Sequence, residues 1–451
     1  MKPSPMNAAP RWSRAVKASL LAGTVATFAV LTAMPAQAET AMERRVRVLE
    51  QELNAIKSGQ KPTEREAALE KRVVELENEL KNVKGNVDTV QKTVGSRVVH
   101  GGRRDVTVEV YGQVNRGVLL TDDGNRTSIA NVDTNSSSTR FGFVGKAPMN
   151  NDISFGNKIE LEIKENPSNS IDQFMHKNTP ADVGNRKLEA WVESKTFGKL
   201  SVGKGDTASN ETAEQDLSGT AVSTGYSDLE TTAGGFLFAN KNLTGAVPYS
   251  DSSTLSPSIK SVFNNLDGLS RQNRLRYDTP KFFGFHAATS ITGTLGTGSV
   301  NARDIALFYS GKLGPVQIAS AVAGAFQHNT KNIFDGSISA LTDWGPNITF
   351  AAGGTGNNGA GRDPSQYYYI KLGYLADWFE IGKTAFAIDW SEQTDNRQNG
   401  DYGRAYGAYV VQNIDRSGTE LYLAVKNHQL FADTGSYDNV LAVLSGLRVR
   451  F

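Results

Sequence analysis

Residues 440–451 read VLAVLSGLRVRF, and the last six alternate without a slip: Leu447, Val449 and Phe451 fall on one side, Gly446, Arg448 and Arg450 on the other. Successive side chains of a strand point to opposite faces, so this segment reads as a strand with one apolar face and one guanidinium face. In a soluble sandwich the apolar face would be core and the arginines would meet bulk water. Here the sequence stops on the aromatic residue, and its other end reads as an export leader. Arg11, Arg14 and Lys17 precede an apolar run from Leu20 to Leu31, and Ala36-Gln37-Ala38 supplies a small-residue cleavage site. Residues 1–38 are therefore expected to be a signal peptide.

Composition narrows the class. The chain has 451 residues, no Cys, 44 Gly, 39% hydrophobic residues and a formal net charge of +1. That length suits either several soluble domains or one large barrel. Past the leader, no apolar run approaches the roughly 18 residues of a spanning helix. Transmembrane strands escape that test, because only alternate residues meet lipid. Without Cys there are no disulfides, thiolate nucleophiles or sulfur-ligated metals, and five scattered His form no metal constellation. Nor do they assemble into a Ser-His-acid set, so neither catalysis nor a cofactor is expected. The balanced charge argues against a nucleic-acid partner. Gly354-x-Gly356-x-x-Gly359 matches a dinucleotide fingerprint on letters alone, since no helix follows.

Between residues 42 and 94 the apolar period is helical. Val46, Leu49, Leu53 and Ile56 form a first seam; Leu69, Val73, Leu76, Leu80, Val83, Val87, Val90 and Val94 continue it at alternating spacings of four and three. That is an a/d seam, which under-winds into a left-handed supercoil. Gly59 and Pro62 end the first helix, and Thr63-x-x-Glu66 caps the second. The two helices can form a hairpin or a parallel oligomer; the first is too short to cover the second, which favours the oligomer. Residues 39–94 are expected to be this coiled coil and 95–104 a linker.

From residue 105 onward the period is two, opening with VTVEVYGQV at 106–114. Sixteen segments read as strands: 106–120, 138–148, 153–165, 186–197, 199–206, 271–281, 284–294, 302–311, 315–326, 331–341, 347–354, 365–375, 379–390, 404–414, 418–427 and 440–451. Short and long links alternate between them, as in a closed antiparallel barrel with short periplasmic turns and longer external loops. An even count puts both barrel ends, and so the coiled coil, in the periplasm. Phe197, Phe282, Phe283, Trp344, Trp378 and Phe379 cluster at the short links, where rings sit in a headgroup layer. One link, from 206 to 271, exceeds sixty residues and is rich in Gly, Ser, Thr, Asn and Asp. A loop that long is functional or disordered, and in a barrel it can fold back into the lumen.

Ser138-Thr139-Arg140-Phe141-Gly142-Phe143-Val144-Gly145 resembles the second-strand signature of the trimeric general porins of Gram-negative bacteria. Asn185-Arg186-Lys187, Phe197-Gly198-Lys199-Leu200 with Gly203-Lys204-Gly205-Asp206, and Asn273-Arg274-Leu275-Arg276-Tyr277-Asp278-Thr279-Pro280 are similar to the strands flanking that family's constriction loop. The resemblance implies an all-β, transmembrane, 16-stranded antiparallel barrel over 105–451 with an inward-folded third loop, preceded by the α-helical coiled coil. It implies a pore neck with a basic wall at Arg140, Arg186, Arg274 and Arg276 and loop acids drawn from Glu211, Glu214, Asp216, Asp228 and Glu230. Alternation alone already puts Arg274 and Arg276 inward, opposite Leu275 and Tyr277. The terminal Phe451 matches the aromatic by which barrel-assembly machinery recognises such chains. The coiled-coil extension is similar to that of DcaP-like and phosphate-selective porins. The function implied is a water-filled outer-membrane pore for passive diffusion of small hydrophilic solutes and ions. The alternatives are a selective anion or dicarboxylate channel, or a tether to peptidoglycan through the coil. Expected partners are two further copies in a homotrimer, outer-membrane lipid and lipopolysaccharide, and the assembly machinery.

Overall fold

The computed structural model describes residues 96–100, 106–174, 182–224, 227–243, 248–250, 253, 255–294, 299–328, 331–356 and 361–451. The signal peptide and the coiled-coil seam at Leu69, Val73, Leu76, Leu80, Val83, Val87 and Val90 lie outside the described residues.

Segments with apolar residues at every second position become strands, most of them pairing antiparallel with the next in the chain. After β1 (Ser96–His100) come β2 (Thr107–Asp122), β3 (Thr127–Asp133), β4 (Arg140–Pro148), β5 (Ile153–Lys164), β6 (Asp182–Ser194) and β7 (Gly198–Asp206). Beyond the long link lie β8 (Arg271–Asp278), β9 (Phe285–Thr294), β10 (Ser299–Leu313), β11 (Val316–Gln327), β12 (Asn332–Thr342) and β13 (Pro346–Gly356). The chain finishes with β14 (Gln366–Ala376), β15 (Thr384–Thr394), β16 (Tyr402–Ile414), β17 (Thr419–Ala432), the two-residue β18 (Gly435–Ser436) and β19 (Val440–Arg450). The last strand closes on the first long one, from Leu441 opposite Asp122 to Arg450 opposite Gln113. β3 and β4 lie end to end along one edge of β2, so the wall is a closed barrel of 16 strand positions.

The two faces of each strand differ as a lipid-embedded barrel requires. On β13 and β14, Ile348, Phe350, Tyr368, Ile370 and Leu372 are exposed outward, while Thr349, Ala351, Tyr367, Tyr369 and Lys371 are buried inward. Phe197, Phe282, Phe283, Trp344, Trp378 and Phe379 are all exposed at the short turns. No helix among the described residues is long and apolar enough to cross a membrane.

Four local features depart from the sequence reading. Residues 96–100, expected within a linker, form a strand opposite 107–111 on the β2 edge just past the end of β19. The second wall position is split by a 3-10 turn, Asn135–Ser137, between β3 and β4. The segment expected at 379–390 sits at Thr384–Thr394, because Phe379 and Ile381 belong to an exposed apolar turn that also holds Gly382 at φ +140°. Alternation cannot separate such a turn from the strand it feeds. Residues of the long link, finally, share a hydrophobic core with the wall, in which Leu229, Phe236, Phe238, Ile259 and Phe263 cluster with Tyr367, Tyr369, Tyr409 and Leu444.

Phe451 extends the closing ladder by one pair, exchanging both backbone hydrogen bonds with Gly112 at 3.0 Å. Its ring lies over that glycine: a Cβ at position 112 would come within 2.4 Å of Phe451 Cζ.

Candidate channel neck

On β5, Phe155, Ile159 and Ile163 point outward, which turns Lys158, Glu160, Glu162 and Lys164 inward. The ladder to β6 carries an irregularity: Glu160 pairs with Lys187 and Leu161 with Asn185, leaving Arg186 as the extra residue. Such a bulge re-aims side chains. Arg186 Nε donates to Glu160 Oε1 at 2.8 Å and Nη1 to Glu162 Oε2 at 3.0 Å, while the adjacent Lys187 binds Asp206. Tyr111 on β2 donates to the other oxygen of Glu160 at 2.7 Å. Arg140, at the start of β4, reaches Ser137 Oγ at 3.3 Å. Ser137 also accepts from Arg448 Nη1 at 2.8 Å, and Arg448 Nε is bound to Glu420. Arg448 was not among the predicted neck bases, although the alternation of the last strand had already turned it away from the apolar face.

Arg274 and Arg276 stand on the inward face of β8. Arg274 donates to Glu189 and, at 2.9 Å, to the Asp206 carbonyl. Arg276 grips Asp278 through Nε and Nη2 at 2.7 to 3.1 Å and donates to the Thr207 carbonyl at 2.7 Å. The four predicted wall bases are thus spread over β4, β6 and β8, and three of them are matched by wall carboxylates. Those wall acids, Glu160, Glu162, Glu189 and Asp278, were missed; the same alternation would have found them.

Segment 207–270 carries the predicted loop acids and bonds to inward-facing wall residues along its length. Ser209 Oγ donates to Asp304 on β10 at 2.6 Å; the amides of Gln215 and Leu217 donate to Ser337 and Ser339 on β12, both at 2.9 Å. Tyr367 on β14 donates to the Ser227 carbonyl at 2.7 Å. At the far wall, Ser136 Oγ donates to the carbonyl of Val222 at 2.8 Å. The segment's ends are held in a costly backbone: Glu211, Leu266 and Ser270 have φ of 68°, 54° and 56°, each worth about 1 kcal/mol or more of strain. Asp267 bridges those ends, accepting from the amides of Glu211 at 2.8 Å and Ala213 at 3.0 Å.

The acids differ in their surroundings. The Glu211 side chain is half exposed, 4.0 Å from Arg271. Asp216 is enclosed, 2.7 Å from Lys371. Burial alone would raise its carboxyl, but the Lys371 ammonium more than offsets this and holds it below the usual range. Glu214 accepts from Asn265 at 2.9 Å, and burial, then the charges of Asp267 and Asp228, push it well up. Burial likewise pushes Asp228 up to about 6 and, with Asp228 beside it, Glu230 up to about 8. Among the described residues no group of three or more His, Cys, Asp and Glu is arranged to hold a metal ion.

Solved structures share the fold. The chain is similar to the anion-selective porin of Comamonas acidovorans, at 16% identity and a TM-score of 0.51, covering 77% of this chain and 100% of that one. It is also similar to the DcaP channel of Acinetobacter baumannii (11%, TM-score 0.47, 79% and 100%) and to a trimer form of Vibrio cholerae OmpT (12%, TM-score 0.48, 77% and 99%). No curated protein sequence matches the chain. The sequence pattern described as Gram-negative porin matches residues 26–430, most of the chain and nearly all of the barrel. The chain therefore belongs to the Gram-negative porin family and forms an outer-membrane channel for passive diffusion.

Proposed function

We propose that the channel admits small hydrophilic solutes and ions through a neck set by segment 207–270, the third external loop folded inward, and that the wall bases and loop acids there set its ion preference. The observation that carries this reading is the row of bonds from Ser209, Gln215, Leu217 and Ser227 to the inward faces of β10, β12 and β14. A segment seated on that side leaves the solute path along β4 to β8, where Arg140, Arg186, Arg274 and Arg276 stand. Facing them are Glu211, Glu214, Asp228 and Glu230, with Asp216 serving as an anchor on Lys371. Glu230, raised to about 8, holds its proton near neutral pH, while Asp228, raised to about 6, is largely ionised, so burial removes one loop acid from the charge facing the wall bases.

Fixed charges across a narrow, low-dielectric neck set ion preference. At about 4 Å and an effective dielectric of about 20 a unit charge acts on a passing ion by about 4 kcal/mol, and screening reduces this to around 1, a several-fold permeability ratio. The test is the zero-current potential in a KCl gradient across a planar bilayer. Arg140→Gln with Arg186→Gln should move that potential toward cation preference. A potential unmoved in a folded, conducting double variant places the neck elsewhere.

The same reading takes the chain as a homotrimer joined by its barrels and by the 39–94 helices, which then stand in the periplasm within reach of peptidoglycan. The unbroken seam from Leu69 to Val94 supports this, since one helix alone would leave that stripe wet. Lipopolysaccharide would meet the outward apolar face, and Phe451 the assembly machinery.

A further inference from the structure

At the short-turn end of β6 to β9 the inward faces enclose a cleft of about 590 Å3, the size of a small-solute site. The register lays charge across it in rows. Glu193 stands opposite Lys199 and Lys199 opposite Asp278; two residues further along, Trp191 stands opposite Ser201 and Ser201 opposite Arg276. Most charges here already hold one another, as in the Arg274–Glu189 and Arg276–Asp278 pairs. Glu193 and Lys199, like Lys195 and Lys281 of the adjoining turns, form no ion pair within 4.0 Å among the described residues, although Glu193 and Lys199 are direct cross-strand neighbours. The Lys199 ammonium instead lies 4.3 Å from the centre of the Trp191 ring. On the β9 side of the cleft, His286 stacks on Phe308 at 4.8 Å with its Nδ1 buried and without a hydrogen-bond partner among the described residues.

We propose that this cleft binds the zwitterion of an α-amino acid, its carboxylate on Lys199 and its ammonium on Glu193. Side chains directly opposite across two strands have Cβ atoms about 4.5–5.5 Å apart, so both charges of a compact zwitterion meet a partner at once. An ion of single charge meets one attractive and one repulsive group there, and a neutral solute of the same size meets neither attraction. The site thereby favours a dipolar solute over either monovalent ion. It rests on the reading of the chain as a diffusion channel, because the cleft opens on the inner wall that solutes pass.

The test uses the full-length protein in planar bilayers with KCl on both sides and glycine as the probe, against acetate, methylammonium and acetamide. Each variant's response is taken relative to its own KCl current. Glycine should lower that current saturably at millimolar concentration, with faster access from the short-turn side, and the three controls should not. Glu193→Gln and Lys199→Gln should each raise the half-effective glycine concentration about two- to fivefold, the range of exposed charge contacts. The charge-swapped pair Glu193→Lys with Lys199→Glu should restore the response. Glycine acting no more strongly than acetamide, or acting equally on wild type and both neutralised variants, overturns the proposal. A protein that carries no KCl current at all overturns the channel reading itself.

Discussion

Lys371 on β14 and Asp216 on segment 207–270 form an ion pair with side chains 0% and 1% exposed. The ammonium also donates to Thr220 Oγ1 at 3.2 Å and lies 5.8 and 5.5 Å from the ring centres of Tyr369 and Tyr409. Asp216 accepts a second bond, from the Ser218 amide at 2.7 Å. Lys371→Met keeps the apolar stem and deletes the charge, leaving a carboxylate enclosed without its counter-ion. Removing one partner of a buried pair destabilises by about 3–5 kcal/mol, whereas replacing both is often close to neutral. The neighbouring attachments, the Gln215 and Leu217 amides on Ser337 and Ser339, contribute about 1 kcal/mol each. The penalty exceeds the two together, so this stretch should leave the wall. Single-channel recordings of Lys371→Met should show a larger, noisier conductance than wild type, and Lys371→Met with Asp216→Asn should return most of the way. The four proteins form a double-mutant cycle whose coupling should exceed about 1 kcal/mol. Wild-type conductance and noise in Lys371→Met, or a double variant as disturbed as the single one, would refute the reasoning.

Three further outcomes are expected. Burial raises Asp228 to about 6, Asp267 to about 7 and Glu230 to about 8, and Lys426 and Lys260 counter this only in part; acids raised on docking stabilise the docked segment below their ordinary range and lose that effect as pH climbs through the raised values. Current noise should therefore grow between about pH 6 and about pH 8, while Asp216, held low by Lys371, acts only in stronger acid; noise that falls over that window would count against the docked acids. Gly112→Val, whose Cβ would sit 2.4 Å from Phe451 Cζ, and deletion of Phe451 should both lower the yield of heat-modifiable barrel in the outer membrane, with conductance per channel unchanged. Deleting residues 39–94 should leave trimeric barrels of lower thermal stability, and a monomer by intact mass in detergent would exclude the trimer.

The wall was legible because lipid enforces a period of two wherever a strand crosses. Expectation and structure agree to within a residue or two at Ile153–Lys164, Gly198–Asp206, Asn332–Thr342 and Val440–Arg450. Alternation also turned the right side chains inward on β8. It failed where backbone and face part company: at the Arg186 bulge, where one extra residue breaks the period, and at Phe379 and Ile381, where an apolar turn imitates a strand end. Alternation does place Lys371 inward, between Ile370 and Leu372, but its partner lies 155 positions away in a segment with no period of its own. Pairing of that kind is set by the fold as a whole, and no local pattern announces it.

The core shared by the wall and segment 207–270 sharpens the first prediction. A barrel of 16 strands is wide enough for an aqueous channel, and its inner wall would ordinarily be wet all round. Here one side carries Tyr367, Tyr369, Ala351 and Leu444 against Leu229, Phe236, Phe238, Ile259 and Phe263, all buried. The side bearing β4 to β6 carries Arg186, Glu160 and Glu162 instead. Each large apolar side chain buried in that core contributes about 1.5–3 kcal/mol, so five of them outweigh a single broken ion pair. Loss of Lys371 should accordingly free the stretch around 213–220 and leave residues 229–266 seated. The conductance of Lys371→Met should then rise by a limited step and saturate there. A jump to a wide-open pore would mean that the ion pair, and not the aromatic core, holds the whole segment in place.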